Sequence, residues 1–461
     1  MHKPCSSRGA AYFRLLIVSA VSFAALSASS CSDCLCSSES GGRGEQAASE
    51  ALDAVRSDPI RLRSFLFRMP KGADLHNHLS GAVYAESLIR AAVEDSLMID
   101  LRSYAFVDPK QLTQEKARDK LPDGQPRYIP AAKGYTDQGL FDALVNSFSM
   151  RSFVPSAGIS SHDHFFDAFA KFGAVDRKHT GEWVDEVAKR AAAQNEQYLE
   201  LMQTPKLSNA EDLAKQTKAL DDLDHYDMKP FQVGVQKAVS EAQKELDEIE
   251  TSRRLLARCG APDESATCKI EIRYIYQVPR GKPKEEVFAK ALVGFALASA
   301  DPRVVGINFV MPEDGHTALT DYELHMHIVK FLRGHYPKAH VALHAGELAP
   351  GLVPGEELCC HIQLAVEEAG AERIGHGVDI MYEKNHDELL KKMAADHVMV
   401  EINLSSNDLI LGVSGKDHPP RYIADSACPS RSPRTMKEFR ALISRTSTCA
   451  PSKPTVFNTA I

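Results

Sequence analysis

The sequence has no excess of positive charge and no long hydrophobic run beyond its first thirty residues. Lysine and arginine number 54 against 62 aspartates and glutamates, which gives a formal charge of -8. A protein that binds nucleic acid by phosphate attraction would carry a basic surplus, so that class is not expected. Glycine (27) and proline (24) are too few for a fibrous or disordered chain, and a hydrophobic fraction of 44% is enough for a sizeable core. The composition predicts a folded globular protein.

The one apolar run near the N-terminus is too short to cross a membrane. It extends from Leu15 to Leu26, whereas a bilayer needs ~20 residues, and basic residues precede it. Small residues then lead to Cys31, so residues 1–30 have the pattern of an export signal. We expect a periplasmic, membrane-anchored or secreted protein. Cys31 is either a site of lipid attachment, which would be the chain's only membrane contact, or the start of a cleaved chain.

A polar stretch without periodicity follows the signal, and we predict a flexible tether over residues 31–48. Farther along the chain, Cys259 and Cys268 flank a turn-rich loop. In an oxidising compartment they could pair, and the sequence leaves a disulfide and two free thiols equally open. Cys359 and Cys360 fall on an apparent helix, where packing is expected rather than chemistry.

Short β-branched or apolar runs alternate with longer helical patterns from residue 72 onward. This alternation predicts βαβ units, and hence an α/β fold with a parallel sheet. The seven predicted strands are one short of a closed (β/α)8 barrel, a TIM-type barrel, and cover Gly72–Leu79, Tyr198–Met202, Ile270–Val278, Val304–Val310, His340–His344, Arg373–His376 and Val398–Leu404. An insertion with helical flanks, at about 81–190, separates the first two strands. Helices are predicted from about residue 210 and over Val233–Cys259.

Two histidines in the first strand are candidate metal ligands. Residues two apart in a strand point to the same side, so His76 and His78 would both face the barrel interior. Imidazole is a natural ligand for zinc. The spacing alone is weak evidence, because His162 and His164 repeat it; there we predict surface or packing roles.

Polar groups follow three later strands in the same way. A His-Ala-Gly-Glu motif places His344 and Glu347 at the end of the fifth predicted strand, and a Gly-His-Gly motif places His376 at the end of the sixth. The seventh ends in Ser-Ser-Asn, with Asn407 last. Barrel enzymes keep their chemistry at the carboxyl ends of successive strands, so these motifs together predict an active site.

In order and spacing, the four motifs resemble those of the adenosine deaminase family, within the metal-dependent amidohydrolase superfamily. The likeness is strongest to its exported, growth-factor-type or bacterial branch and covers roughly residues 60–425, so we assign 49–425 to one barrel domain. The resemblance implies one zinc ion per chain, held by His76, His78 and His344. It further implies that Glu347 protonates the purine ring and that His376 orients and deprotonates the attacking water.

Two departures from the family pattern concern the substrate. Ser80 stands where the family often has an aspartate that contacts the ribose, and the segment from Asn308 to Glu313 replaces a usual Asp-Leu-x-Gly. We take Ser80, Glu313 and Asn407 as candidate substrate contacts. The expected partner is a small purine nucleoside, with no nucleic acid, and the sequence predicts no particular oligomeric state.

A third departure is the absence of the Asp-Asp pair that ends the family's eighth strand, where the first aspartate is a zinc ligand. Residues 428–436 are rich in proline and arginine instead, which does not suit a buried strand. With permitted codons, a frame displaced by one base reads Thr435-Met436 as Asp-Asp. We therefore hypothesise that residues 426–461 are an out-of-frame tail and that the eighth strand is missing or disrupted.

The resemblance favours zinc-dependent hydrolytic deamination of adenosine or 2'-deoxyadenosine to inosine and ammonia, although this chain could be inactive as encoded. Two alternatives stay open. One is an aminohydrolase that acts on another purine or nucleoside. The other is a nucleoside-binding or signalling protein that keeps the barrel without turnover.

Overall fold

The computed structural model of the protein describes residues 39–205, 207–217, 220, 222–419 and 423. The described residues divide into two compact units between Ala54 and Val55. The predicted export signal, Cys31 and the tail at 426–461, with the place of an eighth strand, lie outside the described residues. None of the described helices is both long and apolar enough to span a membrane.

The described residues form ten strands and fourteen α-helices, with short 3-10 turns between them. The strands are β1 Gly72–His78, β2 Met98–Asp100, β3 Ala105–Val107, β4 Tyr128–Pro130, β5 Glu196–Gln203, β6 Glu271–Pro279, β7 Val304–Val310, β8 Ala342–Ala345, β9 Arg373–His376 and β10 Met399–Glu401. The helices are α1 Glu39–Val55, α2 Pro59–Arg68, α3 Ala85–Glu94, α4 Gln138–Phe148, α5 Ser161–Phe172, α6 Thr180–Ala193, α7 Ala210–Gln216, α8 Gln232–Leu256, α9 Lys284–Ala300, α10 His316–Thr320, α11 Tyr322–His335, α12 His361–Glu367, α13 His386–Ala395 and α14 Leu404–Leu411.

Seven parallel strands carry the candidate site. Parallel ladders join β1, β5, β6 and β7 in that order, and others join β8, β9 and β10. An isolated parallel bridge between Ile307 and Val341 connects the two sets. These are the seven strands predicted from the sequence. The prediction of an α/β fold of the TIM-barrel type is confirmed.

The apolar core lies between these strands and the helices that cross over them. Helix α9, between β6 and β7, is buried on most of its surface, including Phe288, Leu292 and Phe295, which explains its nearly continuous apolar sequence. Helix α8 covers almost the range predicted for it, and α7 begins at Ala210 as expected.

The insertion contains a small sheet that the sequence analysis missed. Strands β2, β3 and β4 pair antiparallel in the order β3-β2-β4. Each strand has only three residues, too few to show the alternation of apolar and polar positions on which strand prediction depends. The predicted helical flanks are present as α3 to α6.

The prediction of an unstructured tether is wrong for residues 39–48, which belong to helix α1. Alanine, glutamate and glutamine dominate the helix after its first turns, and their helix propensity outweighs the glycines at its start. The sequence left open whether Cys259 and Cys268 are paired or free, and in the structure they form a disulfide. Cys359 and Cys360 are disulfide-bonded as well, just before α12 rather than on a helix.

Candidate active site

Three imidazoles meet at the carboxyl ends of the strands. His76 and His78 lie in β1, and His344 lies in β8. The Nε2 atoms of His78 and His344 are 3.1 Å apart, and the His76 ring centroid is 4.7 Å from that of His344. One nitrogen from each ring falls within 4.8 Å of the other two. The geometry is that of three ligands around one small ion.

Each of these rings is held by a partner at Nδ1. His76 Nδ1 lies 2.7 Å from a carboxylate oxygen of Glu401 in β10, and His344 Nδ1 donates to Asn308 Oδ1 in β7 at 2.7 Å. Asn308 Oδ1 also accepts from the backbone amide of His344. Metal-binding histidines usually have such outer partners, which fix the ring and leave Nε2 for the metal.

The hydrogen-bond partner of the third ring determines which of its nitrogens carries the proton. Gln277 Nε2 donates to His78 Nδ1 at 2.8 Å, so His78 carries its proton on Nε2 and directs it to His344 Nε2. Burial, with the charges of His76 and His376, holds the pKa of His78 well below its usual range. Burial has the same effect on the pKa of His344. Both rings are therefore neutral at neutral pH, the state in which imidazole binds a metal ion.

A histidine and a glutamate stand beside the three rings. His376 ends β9 with a positive φ of 73°, an uncommon backbone conformation for a residue other than glycine, and its ring centroid is 5.1 Å from that of His76. Its Nδ1 donates to Asn407 Oδ1 at 2.7 Å, and its Nε2 lies 3.3 Å from Glu347 Oε1. A lone pair on His376 Nε2 therefore faces the Glu347 carboxyl.

Burial sets the protonation of this pair. Desolvation, with a smaller contribution from the charge of Glu313, raises the pKa of Glu347 to about 8, and burial lowers the pKa of His376 to about 3. At neutral pH the site therefore holds a protonated carboxyl beside a neutral imidazole. A proton donor and a proton acceptor with opposed pKa shifts are the arrangement that acid-base catalysis uses.

Glu313 lies directly behind Glu347. Its carboxylate is fully buried and accepts hydrogen bonds from the backbone amides of Gly346 and Glu347 and from His361 Nδ1, at 2.6 to 3.0 Å. Burial alone would raise the pKa of Glu313, but the hydrogen bond and charge of His361, together with Arg280, outweigh it and lower the pKa to about 2. An ionised Glu313 fixes the turn that presents Glu347.

The three candidate substrate contacts differ in position. Ser80 is half-buried in the turn Leu79–Gly81 after β1, while Asn407 and Glu313 are buried with their described bonds going to protein groups. Those bonds position His376 and Glu347. Contact of Ser80, Glu313 or Asn407 with substrate stays a prediction.

Sequence reasoning missed Gln277 and Glu401 and did not give Asn308 its role beside His344. All three lie within predicted strands. A polar residue at an inward-facing position of an otherwise apolar strand was the feature of the sequence that could have indicated them. The other histidine pair behaves as predicted: His162 bonds Asp314, and His164 stacks on Phe153 with ring centroids 4.1 Å apart.

The fold and the site together define an α/β-barrel protein with a histidine-rich centre at the carboxyl ends of its strands. The model of one family, described as adenosine deaminase, matches residues 159–429, more than half of the chain. The chain belongs to the adenosine deaminase family. The match begins after β1 and ends near the start of the predicted tail. No curated protein matches the sequence significantly.

Several solved structures are similar to this chain at low identity. A structure of Arabidopsis ADAL complexed with GMP is 18% identical, covers 85% of this chain and 90% of its own, and has a TM-score of 0.48. An adenine deaminase from Arthrobacter aurescens is 16% identical over 77% of this chain and 79% of its own, with a TM-score of 0.43. An amidohydrolase with bound Zn from Burkholderia ambifaria is 17% identical over 79% and 75%, with a TM-score of 0.42.

Proposed function

We propose that this chain is a metal-dependent aminohydrolase scaffold that acts on the C6 amino group of a purine nucleoside, with adenosine or 2'-deoxyadenosine as the first candidates. The observation that carries the proposal is the meeting of His76, His78 and His344 beside the pair formed by His376 and Glu347. Metal ligands, a proton donor and a proton acceptor are what hydrolytic deamination requires.

The donor set fits one zinc ion. His76 and His344 have Nδ1 engaged, and His344 Nε2 accepts from His78 Nε2. A half-turn of the Gln277 side-chain amide would present its oxygen to His78 Nδ1, so that the His78 proton moves there and the Nε2 atoms of both rings become available to the ion. Three imidazoles with an open position are a known catalytic zinc arrangement. A zinc ion held there would activate water as a nucleophile at neutral pH.

The chain's own residues account for the proton movements. His376 Nε2 has a free lone pair and is held by Asn407, so it can take a proton from the attacking water. Glu347 is protonated at neutral pH and can donate to the ring nitrogen N1 as the purine loses aromaticity. Water adds at C6, and the proton that His376 has taken passes to the C6 amino group as the C6–N bond breaks. The remaining hydroxyl proton returns to Glu347, so adenosine and water become inosine and ammonia with atoms and protons in balance.

One observation favours the non-catalytic alternative, a nucleoside-binding or signalling protein. Among the described residues, the group around His76 and His78 consists of three histidines, with no carboxylate as fourth ligand. The Asp-Asp pair of the family would have to come from the part of the chain beyond residue 423. An aminohydrolase for a different purine is the second alternative, since the residues expected at the ribose and base depart from the family pattern.

One assay separates these functions. Loss of adenosine ultraviolet absorbance is followed with the encoded chain and with a chain whose tail is translated in the displaced frame, each with and without a chelator. We expect the frame-corrected chain to convert adenosine and the chelator to stop it. Zinc binding without conversion of any purine would support the binding protein. Conversion of another purine but not of adenosine would support the second alternative. The gene sequence at codons 420–440 tests the frame independently.

We also propose that the protein works outside the cytoplasm. Its N-terminal pattern supports export, and the Cys259–Cys268 disulfide supports it because disulfides persist in oxidising compartments.

A further inference from the structure

A second group of possible ligands lies at the base of the insertion. It joins the end of helix α3 to the start of helix α6 and shares no residue with the candidate active site. We call it the α3–α6 cluster; it consists of Glu94, Asp95, His179 and Glu182. Because residues 94 and 179 bracket most of the insertion, whatever binds here would hold the two ends of the insertion together.

His179 is the central residue of the α3–α6 cluster. Its side chain is 3% exposed, and its Nε2 donates to Asp95 Oδ1 at 3.1 Å. Its Nδ1 is buried and has no hydrogen-bond partner among the described residues. A buried nitrogen without a hydrogen-bond partner is unfavourable, so this atom is suited to receive a ligand.

Two carboxylates face that nitrogen at a distance too long for a hydrogen bond. Glu182 Oε1 is 3.5 Å and Glu94 Oε2 is 3.8 Å from His179 Nδ1, and the three atoms lie within 4.8 Å of one another. Ligands bound tetrahedrally to zinc at ~2.0–2.1 Å are about 3.4 Å from each other. The spacing is close to that of ligands around a shared ion.

We propose that Glu94, His179 and Glu182 form a second divalent-metal site that prefers zinc. Asp95 has the place of the outer carboxylate that fixes a metal-binding histidine. One imidazole nitrogen with two carboxylate oxygens suits zinc better than calcium or magnesium, which take oxygen ligands. Water would complete the coordination at this partly exposed edge.

Lys178 pairs with Asp95, whereas Arg90 is the cation that lies against the proposed ligands. It contacts the outer oxygens, Glu182 Oε2 at 3.3 Å and Glu94 Oε1 at 3.7 Å, while the inner oxygens face His179. Its guanidinium thus aligns both carboxylates without occupying the space between them and the imidazole. Removing its positive charge should tighten metal binding, which a purely structural ion-pair cluster would not show.

The test is zinc content after equilibrium dialysis, measured on the full chain. We expect Glu182→Gln and His179→Ala to hold one zinc equivalent fewer than the wild type, and Asp95→Asn to bind that equivalent ~10–100-fold more weakly. Arg90→Gln should bind it more tightly. Glu182→Gln is the main variant because Glu182 is partly exposed and the amide keeps its shape.

His340→Ala is the matched control, since His340 is an exposed histidine paired with Glu372. It should keep the full zinc content. The proposal is overturned if Glu182→Gln and the wild type hold equal zinc, if His340→Ala loses as much, or if calcium fills the site as readily as zinc. A failure here would leave the histidine centre of the barrel untouched, because the two sites share no ligand.

Discussion

At the scale of single residues, the protonation of the barrel histidines follows from their neighbours. The rings of His76, His344 and His376 have Nδ1 held by Glu401, Asn308 and Asn407. Only His78 has the opposite tautomer, because it accepts from the amide of Gln277. Its Nε2 proton is directed at His344 Nε2, 3.1 Å away.

Glu347→Gln tests the proposed acid. The amide keeps the shape of the side chain, and its N–H group can donate a hydrogen bond but is far too weak an acid to transfer a proton to a purine nitrogen, so kcat of the frame-corrected chain should fall ~10²–10⁴-fold. Zinc content and thermal unfolding should stay unchanged. Glu356→Gln, at an exposed glutamate on the same connection, is the control and should keep full activity. Equal activity in the two variants would remove Glu347 from the mechanism.

The raised pKa of Glu347 gives a pH dependence with a definite sign. The carboxyl is protonated below its pKa of about 8 and ionised above it, so the proton donor is lost as pH rises through that value. We expect kcat/KM to fall about tenfold per pH unit above about 8. A flat alkaline limb up to pH ~10 would contradict this assignment.

At the scale of elements, the turn after β8 is held by a buried carboxylate and by the lack of space around its glycine. Glu313 accepts from both amides of Gly346–Glu347, and Gly346 has a φ of 73° with no room for a side chain. A Cβ there would meet the carboxyl of Asp379 and lie 2.7 Å from Ile362 Cδ1. The position of Glu347 thus depends on a turn that only glycine can form.

Gly346→Ala should therefore destabilise the protein by more than its backbone strain alone. Gly351 is the matched control, because it has a φ of 91° but a Cβ added there would meet no atom within 4 Å. We expect Gly351→Ala to cost about 1 kcal/mol of unfolding free energy and Gly346→Ala to cost at least ~1–3 kcal/mol more. Urea unfolding of both variants gives the comparison, and equal costs would show that crowding at Gly346 is relieved.

The main strands were predictable because short apolar or β-branched runs alternate with longer helical patterns, whereas β2, β3 and β4 were too short to show a pattern. The histidines and Glu347 were found because they end predicted strands in a recognisable order. Gln277 and Glu401 were not found, since their roles depend on contacts with residues 199 and 325 positions away in the chain. The spacing of residues along the sequence does not show which distant residues come into contact in the fold.

At the scale of the whole molecule, Arg373 connects strands that are distant in the chain. It lies 2.6 Å from Glu200 in β5 and 2.5 Å from Glu401 in β10, and it donates to the Leu75 carbonyl in β1. No ladder joins β10 to β1 among the described residues, so this arginine is a polar link across the seven-stranded arc.

Arg373→Met should strongly destabilise the barrel. It leaves Glu200 and Glu401 buried without their cation, and breaking a buried ion pair costs ~3–5 kcal/mol. Arg273→Met is the control, because the Arg273 pair with Glu271 is more exposed and worth ~0–1 kcal/mol. Chemical denaturation of the two variants measures the difference. Similar midpoints would show that the link across the arc contributes no more than a surface pair.

The convergence of the barrel histidines also determines when in the life of the chain the centre can exist. His78 and His344 are 266 positions apart, and His76 meets Glu401 only after 325. During synthesis the first two imidazoles emerge long before the groups that complete and orient them. Bringing such distant residues together costs only ~0.6 kcal/mol of free energy more for each doubling of the loop length. The centre therefore forms late because its residues are synthesised late, and not because closing the long loops is costly. Only molecules that have finished folding would therefore hold a metal ion at the barrel centre. The amount of metal bound at that centre after refolding would measure the fraction of folded molecules.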